Sequence, residues 1–155
     1  MRSLNKRSVK RVAIIGAASA DEGVLALAYR TGWLLGSRGV TVITGGKQGV
    51  MEAASRGAKE AGGLTVGILP GRDDRDANAY LDIAIPTGLG DARNAVIACA
   101  ADTVIAIAGG YGTLSEIGLA LKMGKTVIGI ATWDLSKGII AVTSPEEAVS
   151  KVFEI

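Results

Sequence analysis

Short apolar runs that stop at glycine recur along this chain, and each leads into a stretch of helical spacing. Val12-Ala13-Ile14-Ile15 stops at Gly16, Thr41 to Thr44 at Gly45-Gly46, and Thr103 to Ala108 at Gly109-Gly110. These runs are continuous rather than alternating, which suits strands covered on both faces. Leu64 to Leu69, Leu81 to Pro86 and Thr126 to Ala131 are three further strand candidates. Helices are expected from Ser19 to about Ser37, from Val50 to Ala61, from Asp91 to Ala101 and, after the glycines that follow Ala108, to Met123, with a last one after Ser144-Pro145-Glu146-Glu147. Ser144 there has the place of a cap, with Pro145 at the first helical position. Strand and helix in alternation predict an α/β fold with a mainly parallel sheet of about six or seven strands and helices on both faces. Six strands are too few for an eight-fold barrel, so a doubly wound open sheet is expected, with ligands outside the carboxyl ends of the strands.

The chain of 155 residues is read as one domain, with residues 1–10 as a basic tail. Of 17 basic side chains, Arg2, Lys6, Arg7, Lys10 and Arg11 crowd the start, leaving 12 against 15 acidic ones in the body. That body is mildly acidic, which argues against nucleic acid as a partner. The basic start has no apolar core of a secretory signal, and the apolar runs fall well short of the roughly 20 residues that cross a bilayer. A cytoplasmic protein without a membrane segment is expected. Histidine is absent, which removes the commonest general base, the Ser-His and Cys-His nucleophiles and the histidine metal sites; no protein-held metal is expected. Cys99, the single cysteine, falls in an apolar helical run and reads as a buried small hydrophobe.

The glycine loops carry the chemistry. Glycines let backbone approach a ligand, and a helix that starts behind them points N–H groups at an anion. No G-x-G-x-x-G follows the first strand and no Gly-Lys-Ser/Thr is present, so neither NAD nor a P-loop nucleotide is expected. What remains is a phosphate site built from several loops: Gly16, Gly45, Gly46, Gly109, Gly110 and Gly112, with Ser19, Lys47 and Thr113 as further donors. A helix cap or a solvated side chain explains each of those three about as well. Ser19 and Glu22 have capping-box spacing, and so do Thr113 and Glu116, whose carboxylate would then bond back to the Thr113 backbone. Arg93 shares a helix face with Leu89, Val96, Ile97 and Ala100, and a guanidinium on that sheet-facing side needs an anion. The neighbouring Asn94 reads as a polar helix surface. The charged stretch Gly71 to Tyr80 reads as a solvated connection or a lid.

Three motifs in order carry a family resemblance: Gly45-Gly46-Lys47-Gln48-Gly49-Val50-Met51-Glu52-Ala53-Ala54, Pro86-Thr87-Gly88-Leu89-Gly90-Asp91-Ala92-Arg93-Asn94, and Gly109 to Glu116. Together they resemble the Lonely Guy (LOG) superfamily, once labelled lysine decarboxylases, and most nearly its branch of molybdenum cofactor carrier proteins. The resemblance spans roughly Arg11 to Ala131 and implies a Rossmann-like fold and a homodimer or homotetramer. It also implies one of two functions for one pocket. In the carrier branch the pocket would hold molybdenum cofactor by its phosphate without turnover. In LOG enzymes a Pro-Gly-Gly-x-Gly-Thr-x-x-Glu motif and an Arg from the preceding helix hydrolyse the N-glycosidic bond of nucleoside 5′-monophosphates. Glu116 and Arg93 fall on those two catalytic positions. Ala108 stands where those enzymes have Pro, and Asn94 follows Arg93 where they usually have Lys, departures that favour the carrier branch. A nucleotide-sensing module is a third class that the same fold implies.

Overall fold

The computed structural model describes residues 10–135 and 137–155; the basic segment 1–9 lies outside them. Seven strands form one sheet: β1 (Arg11–Ile15), β2 (Thr41–Thr44), β3 (Thr65–Leu69), β4 (Ile83–Pro86), β5 (Thr103–Ile107), β6 (Thr126–Ile130) and β7 (Ile139–Val142). Their order is β4-β3-β2-β1-β5-β6-β7, and every pairing is parallel. The five α-helices among the described residues are α1 (Glu22–Ser37), α2 (Val50–Glu60), α3 (Arg93–Ala100), α4 (Tyr111–Lys122) and α5 (Pro145–Glu154). This is the Rossmann-like, doubly wound arrangement. One core, with Val12, Ile14, Val42, Ile105, Ile107 and Ile128, is covered by Leu35 of α1, Ala54 and Ala58 of α2 and Val149 of α5. The opposite core, with Ala13, Ile15, Ile43 and Val104, is covered by Ile97 of α3 and Ile117 of α4. Alternate residues of one strand enter the two cores, which is why the strands are apolar throughout.

Among the described residues two crossovers lack a helix. Between β6 and β7, residues 131–135 lay Trp133 and Leu135 on the α3–α4 side of the sheet. Ile139–Val142 follows Gly138 as a short edge strand, the strand that the apolar runs do not single out by name. Residues 70–82 return from β3 to β4, and Asn78 holds this stretch in place. Its N–H donates to Gly46 O at 2.9 Å, and its side-chain amide donates to Lys47 O at 2.8 Å. The charged segment is therefore stapled to the β2 loop, while Asp73 and Arg75 pair with each other at its surface.

Two local expectations need correction. Lys10 belongs to the fold rather than to a tail: its ammonium donates to Val152 O at 3.1 Å and lies 5.5 Å over the Phe153 ring. Cys99 is exposed, because α3 turns that side away from the sheet while Ile97 and Ala98 face it. The small-residue face of α2 meets α1 as well as the sheet. A β-carbon built on Gly32 of α1 would lie 2.0 Å from Ala54 O, and one on Gly57 of α2 would lie 2.1 Å from Tyr29 O. Backbone touches backbone at this crossing. An alanine in a helix interior ordinarily gains about 1 kcal/mol over glycine, but Gly32→Ala is expected to lose about 1–3 kcal/mol by overpacking. Urea unfolding checks the sign.

Candidate functional site

The site lies where the sheet reverses its winding. β1 leads through Gly16 to α1 on one face, whereas the neighbouring β5 leads through Gly109-Gly110 to α4 on the other. Diverging exits leave a crevice at the carboxyl ends of these strands. A cleft of about 330 Å³ occupies it, bordered by Ile14 to Ala18, Gly45, Met51, Asp91, Arg93, Asn94, Gly110, Gly112, Thr113 and Glu116.

Arg93 opens α3 and reaches back under the strand ends. Its Nη1 donates to Gly45 O and to Ile68 O, both at 2.7 Å, and its Nε donates to Asn94 Oδ1 at 2.8 Å. The anion that this side chain was expected to need is thus replaced in part by two strand-end carbonyls. Burial pushes the guanidinium pKa down, and the charges of Glu116 and then Asp91 push it back up. Asn94 orients Arg93 and borders the cleft, a role its sequence position does not signal. A β-carbon at residue 45 would sit 2.9 Å from Arg93 Nη1, so the glycine makes room for the guanidinium.

The capping-box reading of Glu116 fails. α4 starts at Tyr111 with Gly110 at its cap and no side-chain cap bond, which puts Thr113 inside the first turn. Without a side-chain cap, the first N–H groups of α4 lack that partner as well as an intrahelical one. Thr113 is only 3 % exposed, borders the cleft and makes no side-chain hydrogen bond among the described residues. Glu116 is half-buried one turn further along. Burial raises its pKa to about 7 against the opposing pull of Arg93, and no ion pair within 4 Å joins the two among the described residues. A carboxyl held there changes charge near neutral pH.

The cleft brings together Gly16, Gly45, Arg93, Gly110, Gly112, Thr113 and Glu116 of the expected residues. It leaves out Ser19, Gly46, Lys47 and Gly109. Ser19 is exposed and caps nothing, since α1 begins at Glu22 and Asp21 accepts from the Val24 N–H at 2.9 Å. The Gly46 N–H already donates to Thr44 Oγ1 at 3.1 Å, and its carbonyl is taken by Asn78. Lys47 supplies its carbonyl to Asn78, and its side chain is not among those that border the cleft. Gly109, at φ 96°, has a structural duty: a β-carbon there would stand 2.2 Å from Thr113 Oγ1. Met51 and Asp91 line the cleft without a sequence signal, because only packing brings the starts of α2 and α3 together.

With this geometry in place, comparison with known proteins becomes informative. The family model described as "SLOG cluster4 family" matches residues 9–154. The chain belongs to that family. A relative from Archaeoglobus fulgidus, described as an uncharacterized protein, is 44% identical over 140 residues, covering 90% of this chain and 92% of its own. The solved molybdenum cofactor binding protein of the phototrophic bacterium Rippkaea orientalis is 39% identical, with a TM-score of 0.86 over 94% of this chain and 95% of that one. The solved Moco carrier protein of Chlamydomonas reinhardtii is 33% identical, with a TM-score of 0.86 over 94% and 96% of the two chains. The superfamily and the Rossmann-like fold expected from the three motifs are therefore established. No helix among the described residues is long and apolar enough to cross a membrane, and no three His, Cys, Asp or Glu side chains among them gather as metal ligands.

The Glu116 shift sets a pH dependence of stability. Between its ordinary value of 4.5 and about 7, the folded chain holds a proton that the unfolded chain has released. The contribution is fully present below pH 4.5 and is lost as pH rises through 7. Glu116→Gln, neutral at every pH, is expected to match the parent near pH 4 and to exceed it by about 1–3 kcal/mol at pH 8. Urea unfolding at both pH values measures this; equal stability of the two proteins at pH 8 would refute the assignment.

Proposed function

We propose that the cleft holds the phosphate of a small molecule, and that this molecule is molybdenum cofactor, carried without conversion. The uncapped amino end of α4 carries the reading. Its N–H groups, the unengaged Thr113 hydroxyl and the Arg93 guanidinium border one cleft, and helix ends of this kind favour anions. The solved relatives in Rippkaea orientalis and Chlamydomonas reinhardtii, named for binding or carrying molybdenum cofactor, support the choice of ligand. Glu116 fits the same reading. A fully charged carboxylate would repel a phosphate, but one whose pKa is raised to about 7 is partly protonated at neutral pH and donates a hydrogen bond to a phosphate oxygen. The chain's residues would supply the phosphate contacts; the cofactor brings its own metal and redox chemistry. Assembly as a homodimer or homotetramer in the cytoplasm belongs to the same proposal.

Hydrolysis of nucleoside 5′-monophosphates is the second reading, favoured by a carboxyl that titrates near 7 in the cleft. Such a group can move a proton at neutral pH. Ala108 weighs against it. Its φ of 47° lies far from the value near −65° that a proline ring fixes, and its N–H donates to Ile130 O at 3.0 Å. The loop thus has a shape that the Pro-led motif of LOG enzymes cannot take. Ala108→Gly is expected to stabilise the protein by about 0.5–1 kcal/mol by relieving the left-handed backbone, and Ala108→Pro to destabilise it by several-fold more, both read from thermal unfolding.

Two assays separate the readings. The purified protein mixed with molybdenum cofactor should retain it through gel filtration, and no retention overturns carriage. Incubation with AMP and related monophosphates should release no free base; release would establish hydrolysis, and Glu116→Gln would then abolish it. Arg93→Ala is expected to weaken retention about tenfold or more, since a charge-assisted contact to phosphate is lost. Arg93→Lys, which keeps the charge, should recover part of it.

A further inference from the structure

We infer that Tyr111 and Trp133 form a stacking ledge for a planar heterocycle attached to the phosphate, which makes them specificity-determining residues. The inference rests on the proposal that the cleft takes a phosphate and names the chemistry of the ligand's other end.

Tyr111 is the first residue of α4, between Gly110 and Gly112, and both glycines border the cleft. It is 84 % exposed, which is unusual for an aromatic side chain. It is nevertheless not loose. Its ring stacks on Trp133 with centroids 5.8 Å apart and planes 30° from parallel, and Trp133 packs on the core under α4. The indole Nε1 donates to Gly110 O at 3.0 Å. One backbone group of the anion loop thus fixes the ledge, and the Tyr111 face turned away from Trp133 is left for a second ring.

The two glycines give an independent sign. A β-carbon on Gly110 or Gly112 would meet nothing within 4 Å, and neither residue has positive φ. Gly112 lies in a helix, where glycine is costly relative to alanine. Packing demands glycine at neither position, and helical backbone does not demand it at Gly112, whereas Gly110 sits at φ −104° and ψ −147°, outside the ordinary β region. What their missing side chains leave is open space at the edge of the cleft, next in the chain to Tyr111, whose own ring is not part of the cleft lining. A cleft of about 330 Å³ is near the small end for ligand sites, so a phosphate seated at Thr113 and Arg93 directs the rest of its molecule out over this open edge. The ligand class is a phosphate ester of a fused planar heterocycle, a pterin or a purine. Aromatic faces hold such rings by stacking, with little regard to their edges.

Calorimetric titration of the full chain with molybdenum cofactor and AMP, which carry a ring, and with ribose 5-phosphate, which does not, tests the ledge. At least one ring-bearing ligand should bind about tenfold or more tightly than ribose 5-phosphate. Tyr111→Ala should erase that difference and leave ribose 5-phosphate unchanged, while Tyr111→Phe should retain it. Gly112→Ala should raise the melting temperature yet weaken the ring-bearing ligand. Gly118→Ala, at an exposed α4 glycine that also meets nothing within 4 Å and lies outside the cleft, should raise the melting temperature with no effect on binding. Ring-bearing ligands that bind Tyr111→Ala and Gly112→Ala as tightly as the parent would overturn the ledge and leave the phosphate reading standing. Binding of none of the three by the parent protein would overturn both. Loss of assembly in Tyr111→Ala with affinity unchanged would assign the ring to an interface between copies and overturn the ledge as well.

Discussion

β1 and β5 pair in parallel from Val12 to Ile15, yet the chain leaves their carboxyl ends toward opposite faces of the sheet. That divergence is the constraint on which the remainder of the molecule depends. Two helices that start on opposite sides of one sheet cannot close over the strand ends between them. The gap is then walled by whatever residues begin the loops and helices around it. Gly16 and Gly45 keep those walls thin, and Met51, Arg93 and Thr113 arrive from the starts of three different helices. Arg93 keeps the gap from collapsing, because its guanidinium ties the ends of β2 and β3 through Gly45 O and Ile68 O.

Charge at the cleft is set by burial rather than by composition. The chain carries a formal charge of only +2, and the cationic side chains of the described residues lie mostly at the surface. At the cleft one guanidinium, one helix amino end and the Glu116 carboxyl meet in a poorly solvated space, with Asp91 at its exposed border. Desolvation moves Arg93 downward and Glu116 upward, each toward neutrality. The floor of the cleft is held by segments that are not helices. Residues 131–135 place Trp133 against Gly110, and Asn78 secures the β2 loop, so the loops next to the cleft are fixed by direct hydrogen bonds.

Much of this was legible in the sequence, and the limits of legibility have specific causes. Strands covered on both faces must be continuously apolar, so six of the seven could be read from hydrophobic runs, and the glycines that end them marked the side of the cleft. Arg93 stood out because a cation on an apolar helix face needs partners wherever it folds. The identity of those partners was not readable, since carbonyls at residues 45 and 68 come near it only through strand pairing. Capping spacing misled at Ser19 and Thr113, where a cap stood beside a ligand donor as an alternative, because such spacing describes only a local option. The helix starts were settled instead by Asp21 and by the turn at Gly110. Cys99 was misplaced because an all-apolar helical run does not say which side meets the sheet.

By itself the sequence determined the α/β class, the parallel sheet, the order of its elements and the group of glycines from which a phosphate site could be drawn, since these follow from short-range patterns of polarity and backbone freedom. It also determined its superfamily, through three motifs that keep their order. Only the tertiary structure decided that Gly46, Lys47 and Gly109 support the loops while Met51, Asp91 and Asn94 reach the cleft. It likewise decided that Glu116 is a half-buried carboxyl free of any cap, and that Trp133 braces Tyr111 beside the same glycines. The reason is physical: burial, pKa and ring stacking depend on distances between segments far apart in the chain, and those distances exist only once the sheet has assembled.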